Sequence, residues 1–226
     1  MCGRFSLFDL QKATKRFKIS NQLPMFSDNF NIAPSTPIPV VQAHSPNWMR
    51  LIRWGFHPRW AKNDSMLLIN AKSESTATKA TWKKAYRESR CIIPANGFYE
   101  WADKQHPYYF TRKDKKMFGF AGLIVGEGEN SGAVILTSSA NSLMQPVHNR
   151  QPVILRPETE DDWLNPDTSE PEELSKIIDD QLTSKEMQRM IASTEINSVK
   201  NNYHDLTQPR SEQQVWDDCD DDELLG

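Results

Sequence analysis

Residues that break regular structure recur every few positions along this 226-residue chain, and they leave room only for short elements. Proline removes a ladder donor and disrupts a helix interior, and glycine, Asn, Asp and Ser favour turns. Fourteen prolines and nine glycines, with no internal repeat, therefore predict many short strands joined by turns, with a few short helices. Apolar residues make up 38% of the chain and aromatics 10%, enough to bury a core and exclude general disorder. No apolar run approaches the roughly 18 residues of a membrane span. The N-terminus lacks the basic and apolar blocks of a secretory signal. The expectation is one soluble, intracellular domain of the α+β class.

Local patterns locate the elements. The segment Cys2-Gly3-Arg4-Phe5 reads as a strand, and Asp9 is placed to cap a short helix that includes Leu10 and Phe17. Pro37 and Pro39 confine the strand around Val40 and Val41 to a sheet edge. Residues 48–56 form the next strand, and Leu67-Leu68-Ile69-Asn70-Ala71 a short buried one. A helix over 77–90 places Trp82 and Tyr86 on one face. Asn96-Gly97 predicts a hairpin between residues 91–94 and 98–101, with a positive φ at the glycine. Further strands over 108–110, 118–125, 133–137 and 153–155 complete a largely antiparallel sheet. Surface helices follow over 159–164, 170–181 and 184–191, the last opened by Ser184, and a final strand over 196–199.

Charge is segregated along the chain. Its total is 27 basic minus 30 acidic residues, or -3, which alone argues against a nucleic-acid partner. Residues 1–155, however, hold 21 Lys and Arg against 10 Asp and Glu, a net +11, whereas residues 156–180 hold 2 against 10, a net -8. Residues 212–226 add seven acids and no base, as a solvated acidic tail. The first two-thirds could thus meet phosphates. Cys2, Cys91 and Cys219 are odd in number and have no metal-binding spacing, so neither a disulfide framework nor a zinc site is expected.

Four residues could carry chemistry. Cys2 becomes an N-terminal 1,2-aminothiol if Met1 is removed. Its amine, with an ordinary pKa of about 7.7 to 8.0, could attack an aldehyde, and its thiol could close on the resulting imine as a five-membered thiazolidine. The plain alternative is a small apolar residue in the first strand. Glu100 lies between Tyr99 and Trp101 in an apolar strand, where it is either a proton shuttle or half of an ion pair. His148 occupies a turn, where an imidazole is either a proton carrier at a cleft or inert. Asn70 ends an apolar strand and either lines a pocket or caps a turn.

Six segments in order change the balance: Met1-Cys2-Gly3-Arg4-Phe5, Asn31-Ile32-Ala33-Pro34, Trp54-Gly55, Ile69-Asn70-Ala71, Asn96-Gly97-Phe98-Tyr99-Glu100-Trp101 and His148-Asn149-Arg150-Gln151-Pro152. Over residues 2–209 the chain resembles the SOS-response-associated peptidase (SRAP) family of abasic-site-processing proteins. The resemblance implies a single domain with curved, largely antiparallel sheets flanked by short helices, spanning residues 1–210 ahead of an acidic tail over 211–226. It implies a DNA-damage protein whose Cys2 crosslinks to the ring-opened abasic site in single-stranded DNA as a thiazolidine, with lyase activity and N-terminal autoprocessing as accompanying reactions. By the same resemblance Asn70 holds the N-terminal Cys or the opened sugar, Glu100 moves protons, His148 stabilises the opened site, Arg4 grips a phosphate and Trp60 stacks on a base.

This sequence departs from the family pattern in two places. Arg59-Trp60-Ala61 stands where paired tryptophans are frequent, and Lys72 stands where Arg is frequent, which removes a bidentate fork and predicts weaker, more salt-sensitive binding. The acidic tail has no counterpart in the pattern. Expected are a monomer in the cytoplasm or at the nucleoid, abasic single-stranded DNA as partner, and no membrane, metal or cofactor. Two other readings stay open: an N-terminal-nucleophile hydrolase, for which no glycine-rich oxyanion loop is evident, and a noncovalent single-strand binding module.

Overall fold

In the computed structural model, which describes residues 2–21, 25–43, 45–61, 66–103, 105–211 and 213, short strands dominate as the turn signals require. In chain order they begin with β1 (Arg4–Leu7), β2 (Asn29–Ile32), β3 (Pro37–Gln42), β4 (Ser45–Arg53), β5 (Asn70–Lys72) and β6 (Arg90–Ala95). They continue with β7 (Gly97–Trp101), β8 (Pro107–Arg112), β9 (Phe118–Val125), β10 (Gly132–Ser139), β11 (Arg150–Pro152) and β12 (Met187–Ile191). Among the described residues short helices flank them: α1 (Leu10–Arg16), α2 (Ser73–Thr76), α3 (Ala80–Glu88), α4 (Glu160–Leu164) and α5 (Pro171–Asp179). Among the described residues no helix is long and apolar enough to cross a membrane.

The strands form two sheets in an α+β domain. One has five strands in the order β12-β8-β7-β1-β2, all antiparallel. The other runs β11-β10-β9-β6-β3-β4, with β5 paired parallel to β10. The core lies between them. Phe5 of β1 meets Trp54 with ring centroids 5.0 Å apart and Phe120 of β9 at 5.8 Å, both edge-on, a geometry worth about 0.5–1.5 kcal/mol per pair beyond area burial. All eight residues of β9 are buried, which explains why residues 118–125 read as an unbroken apolar run.

Several expectations are corrected. Asn96-Gly97 makes no hairpin: β6 pairs with β3 and β9 in one sheet, β7 with β1 and β8 in the other, and the dipeptide is the crossing point. Gly97 has no positive φ. It is required because a Cβ there would lie 2.2 Å from the Tyr109 ring. Positive φ belongs instead to Gly55, at 111°, where a Cβ would also meet Leu67 at 2.7 Å. β3 is flanked by β4 and β6, so it is no edge strand, although β6 pairs only with Val41 and Gln42 and leaves the proline half without that neighbour. Asp9 adopts φ 58° with no side-chain cap.

The helix expected over 77–90 is α3, shortened to Ala80–Glu88, with Trp82 and Tyr86 buried on it as their spacing requires, and the separate short α2 precedes it. Residues 67–71 become strand only from Asn70 onward. Of residues 153–155, Ile154 and Leu155 make isolated bridges, the strand itself ending at Pro152. Residues 184–191 are not helical, because Met187–Ile191 pairs residue for residue with β8 and supplies the sheet's outer strand. The strand expected over 196–199 is replaced by a 3-10 turn at Thr194–Asn197 that buries Ile196 and leaves Val199 exposed.

Candidate functional site

Cys2 lies just ahead of β1 and is 1% exposed. It packs within the hydrophobic core, and Asn70, the first residue of β5, reaches it from the other sheet. Its Nδ2 donates to the Cys2 carbonyl at 2.9 Å. Its Oδ1 is buried and accepts no hydrogen bond among the described residues. Burial pushes the Cys2 thiol well above its ordinary pKa, and the nearby Glu100 charge pushes it further; the thiol also donates a weak bond to the Arg4 carbonyl at 3.9 Å, which suits the protonated form. The thiol is therefore protonated at neutral pH. Glu100 itself is buried in β7, opposite Tyr108 of β8.

Cys2, Asn70 and Glu100 are thus brought together from positions 2, 70 and 100, with Cys2 and Glu100 on the five-stranded side and Asn70 on the other sheet. His148 occupies the turn before β11. The Arg150 N–H donates to its Nδ1 at 2.9 Å. The same Nδ1 lies 3.3 Å from the Arg150 carbonyl; the shorter contact, from an N–H that can only donate, favours Nδ1 as acceptor and the neutral ring's proton on Nε2. Arg150 then reaches back across β10: Nη1 and Nη2 donate to Glu74 Oε1 and Oε2 at 2.5 and 2.9 Å, and Nη2 also donates to the Thr137 carbonyl. Glu74 lies in α2, immediately after β5, so this pair links the Asn70 segment to the His148 turn. The Arg150 hydrogen bond is the largest influence holding Glu74 below the usual carboxylate range, with burial opposing it.

The proposed DNA contacts are more dispersed. Arg4 is half-buried, its Nη1 donating to Asn31 Oδ1 at 2.6 Å and to the Ile196 carbonyl at 3.0 Å, with the Trp101 ring 6.0 Å away. It ties β1 to β2 and to the 194–197 turn, and its buried Nε has no hydrogen-bond partner among the described residues. Lys72 is exposed at the end of β5, and its charge helps depress the Glu74 pKa. Trp60 is 63% exposed and borders a cavity of about 600 Å³ with Phe56, His57 and residues of α3. None of Cys2, Asn70, Glu100 and His148 lines that cavity. Among the described residues no group of three or more His, Cys, Asp or Glu is placed to hold a metal ion.

Three residues at the site escaped the residue-by-residue reading. Asn31 accepts from Arg4 and donates to the Ser198 and Asn201 carbonyls at 2.9 and 2.8 Å, fixing the 198–201 loop. Arg150 and Glu74 form the bridge just described. Asn31 and Arg150 lie within the quoted segments, which was their signal; Glu74 had none beyond its place two residues after Lys72.

A family model described as SOS response associated peptidase (SRAP) matches residues 1–199. The abasic site processing protein YoqW of Bacillus subtilis (strain 168) is 34% identical, over 91% of this chain and 98% of its own length. The abasic site processing protein YedK of Escherichia coli (strain K12) is 26% identical, over 92% and 100%. The abasic site processing protein HMCES of Gallus gallus is 25% identical over 81% of this chain and 67% of its own. A crystal structure of a protein from Bacteroides thetaiotaomicron superposes with a TM-score of 0.79 at 22% identity, covering 93% of this chain and all of that one, and so shares the fold.

Proposed function

This chain belongs to the SRAP family, and on that premise we propose that it acts on abasic sites in DNA, capturing the ring-opened sugar of a single strand through Cys2. The observation that supports this best is the grip of Asn70 on the Cys2 carbonyl at 2.9 Å, which holds the second residue of the chain beside Glu100.

The chemistry balances with this chain's own groups. Hydrolytic removal of Met1 uses one water and frees the Cys2 amine. The neutral amine adds to the C1′ aldehyde, and the carbinolamine loses one water to give the imine. The Cys2 sulfur then bonds to the imine carbon while the thiol proton passes to nitrogen, closing the thiazolidine with nothing further released. A protonated thiol, held so by burial and by Glu100, suits this order, because the amine attacks first and the S–H proton is delivered at ring closure. Glu100 relays protons to and from the carbinolamine oxygen, and His148, with its proton on Nε2, donates to the freed sugar hydroxyl or the adjoining phosphate. Arg4, Lys72 and Trp60 contact the strand. The imine also acidifies C2′–H, so loss of that proton can expel the 3′ phosphate, a lyase side reaction. The functional unit is residues 1–210 acting as a monomer in the cytoplasm or at the nucleoid, with residues 211–226 appended.

Intact mass spectrometry tests the reading. Protein lacking Met1, incubated with a single-stranded oligonucleotide bearing one abasic site, should gain the oligonucleotide mass minus one water without borohydride. Cys2→Ala and Cys2→Ser should gain nothing stable. Absence of the adduct on chains confirmed to begin at Cys2 would sink the proposal, and equal noncovalent binding by those adduct-free chains and by Cys2→Ala would favour a noncovalent module.

A further inference from the structure

Asn70 and Arg150 flank the same strand. Asn70 of β5 is in register with Ile135 of β10, and Arg150 of β11 with Ser139. β10 between them fixes the height of each segment along the sheet, but backbone pairing says nothing about how the side chains beyond its end are oriented. That end is where α2 leaves β5 and where the His148 turn enters β11. Arg150 acts on both. Its main-chain N–H donates to His148 Nδ1 at 2.9 Å, and its guanidinium, 13% exposed, is clasped by Glu74 and by the Thr137 carbonyl. Thr137 also donates through Oγ1 to the Ala71 carbonyl, one residue from Asn70, at 3.4 Å.

We propose that Glu74 and Arg150 form a positioning pair that sets the place and tautomer of His148 relative to Asn70 for capture of the abasic sugar. The proposal rests on the reading of Cys2 as the capturing residue. The planar fork of Arg150 meets both oxygens of one carboxylate, a geometry that defines direction as well as distance, and Lys at the same position would not reproduce it. Glu74 acts through Arg150 and touches no reacting atom. Its charge has a second consequence. It lies near Lys72 as well as Arg150, so removing it strengthens the positive field that a DNA phosphate meets while loosening the imidazole. Binding and chemistry should then move in opposite directions in one variant, which neither simple unfolding nor a simple change of surface charge produces.

The test uses full-length protein lacking Met1 and the abasic oligonucleotide. In single-turnover adduct formation, Glu74→Gln should lower the saturating rate about tenfold, in the range typical of groups that orient a reactive side chain. Its half-saturating oligonucleotide concentration should fall. In a His148→Ala background the same substitution should change the rate less than about twofold, because coupled residues are not additive. A tenfold loss in both backgrounds, or a saturating rate that rises with binding, overturns the proposal. Nitrogen NMR of the imidazole, on protein alone, reads the tautomer directly: His148 should be Nε2–H in the unaltered protein and a mixture in Glu74→Gln. An unchanged tautomer in that variant overturns the positioning role even if no adduct forms in any protein, an outcome that would separately sink the Cys2 reading.

Discussion

Two guanidinium–carboxylate pairs of nearly the same geometry behave oppositely in this molecule. Arg16 of α1 meets Glu160 of α4 with contacts of 2.7 and 2.8 Å, and Arg150 meets Glu74 at 2.5 and 2.9 Å. The Glu160 side chain is 5% exposed and that of Glu74 53%. Burial, the larger influence, raises the Glu160 pKa from 4.5 to about 7 in spite of Arg16, whereas the hydrogen bond from Arg150 is the larger influence on Glu74 and lowers it. The same partner therefore leaves one carboxylate struggling to ionise and the other ionised with ease, and solvent is the difference. The inner pair fastens the acidic segment onto the first helix. The outer pair keeps its charge at the rim of the candidate site.

The largest effect should come from breaking the inner pair. Arg16→Ala leaves Glu160 without its cation in a desolvated place, and at pH 8 it should cost about 3–5 kcal/mol in denaturant unfolding, with a smaller loss at pH 5, where the acid is protonated. Next is the pH dependence of the unaltered protein. Because the folded value of Glu160 lies above its unfolded one, the native state holds the proton longer, and this residue's contribution to stability falls as pH rises from about 4.5 to about 7, by at most about 3 kcal/mol. Thermal melts across that window should show the slope, and Glu160→Gln should flatten it. Glu74 runs the other way: its stabilisation is present above the ordinary carboxylate range and is lost as pH falls through its lowered value. The smallest effect is that of Glu74→Ala on stability, less than about 1 kcal/mol as for exposed pairs, so a larger loss in the same denaturant assay would erase the contrast between the two.

These pairs also revise the charge arithmetic. The surplus of +11 over residues 1–155 invited a phosphate partner, yet Arg16 is consumed by Glu160 and Lys18 lies 3.0 Å from Asp161. Part of the segregated charge holds the chain together. A count along the sequence has no means of telling a cation that faces its own acidic segment from one that faces solvent.

Elements whose identity depends on local pattern were legible in advance. Trp82 and Tyr86 share a buried helical face because four residues make about one turn, and β9 is buried throughout because eight successive residues are small or apolar. Elements whose identity depends on a partner were not. Residues 184–191 carry helix-compatible side chains, but β8 offers an unpaired ladder and Met187–Ile191 takes it. Asn96-Gly97 has hairpin chemistry, but its flanking strands find better partners in different sheets. At the site, the identities of Cys2, Asn70, Glu100 and His148 came from six ordered segments, since no helical or strand periodicity relates positions so far apart.

By itself the sequence determined the class of fold, through the density of turn residues and the apolar budget between them, and it determined family membership, through motifs whose order survives any arrangement in space. Only the tertiary structure decided that Gly97 is needed for the Tyr109 ring, that Arg4 is held by Asn31 and Ile196, and that Glu74 reaches Arg150 across a strand. Propensity and periodicity act over a few residues and are written locally. Burial and hydrogen-bond partners are set by segments far apart in the chain, and they exist only once the two sheets have closed on each other.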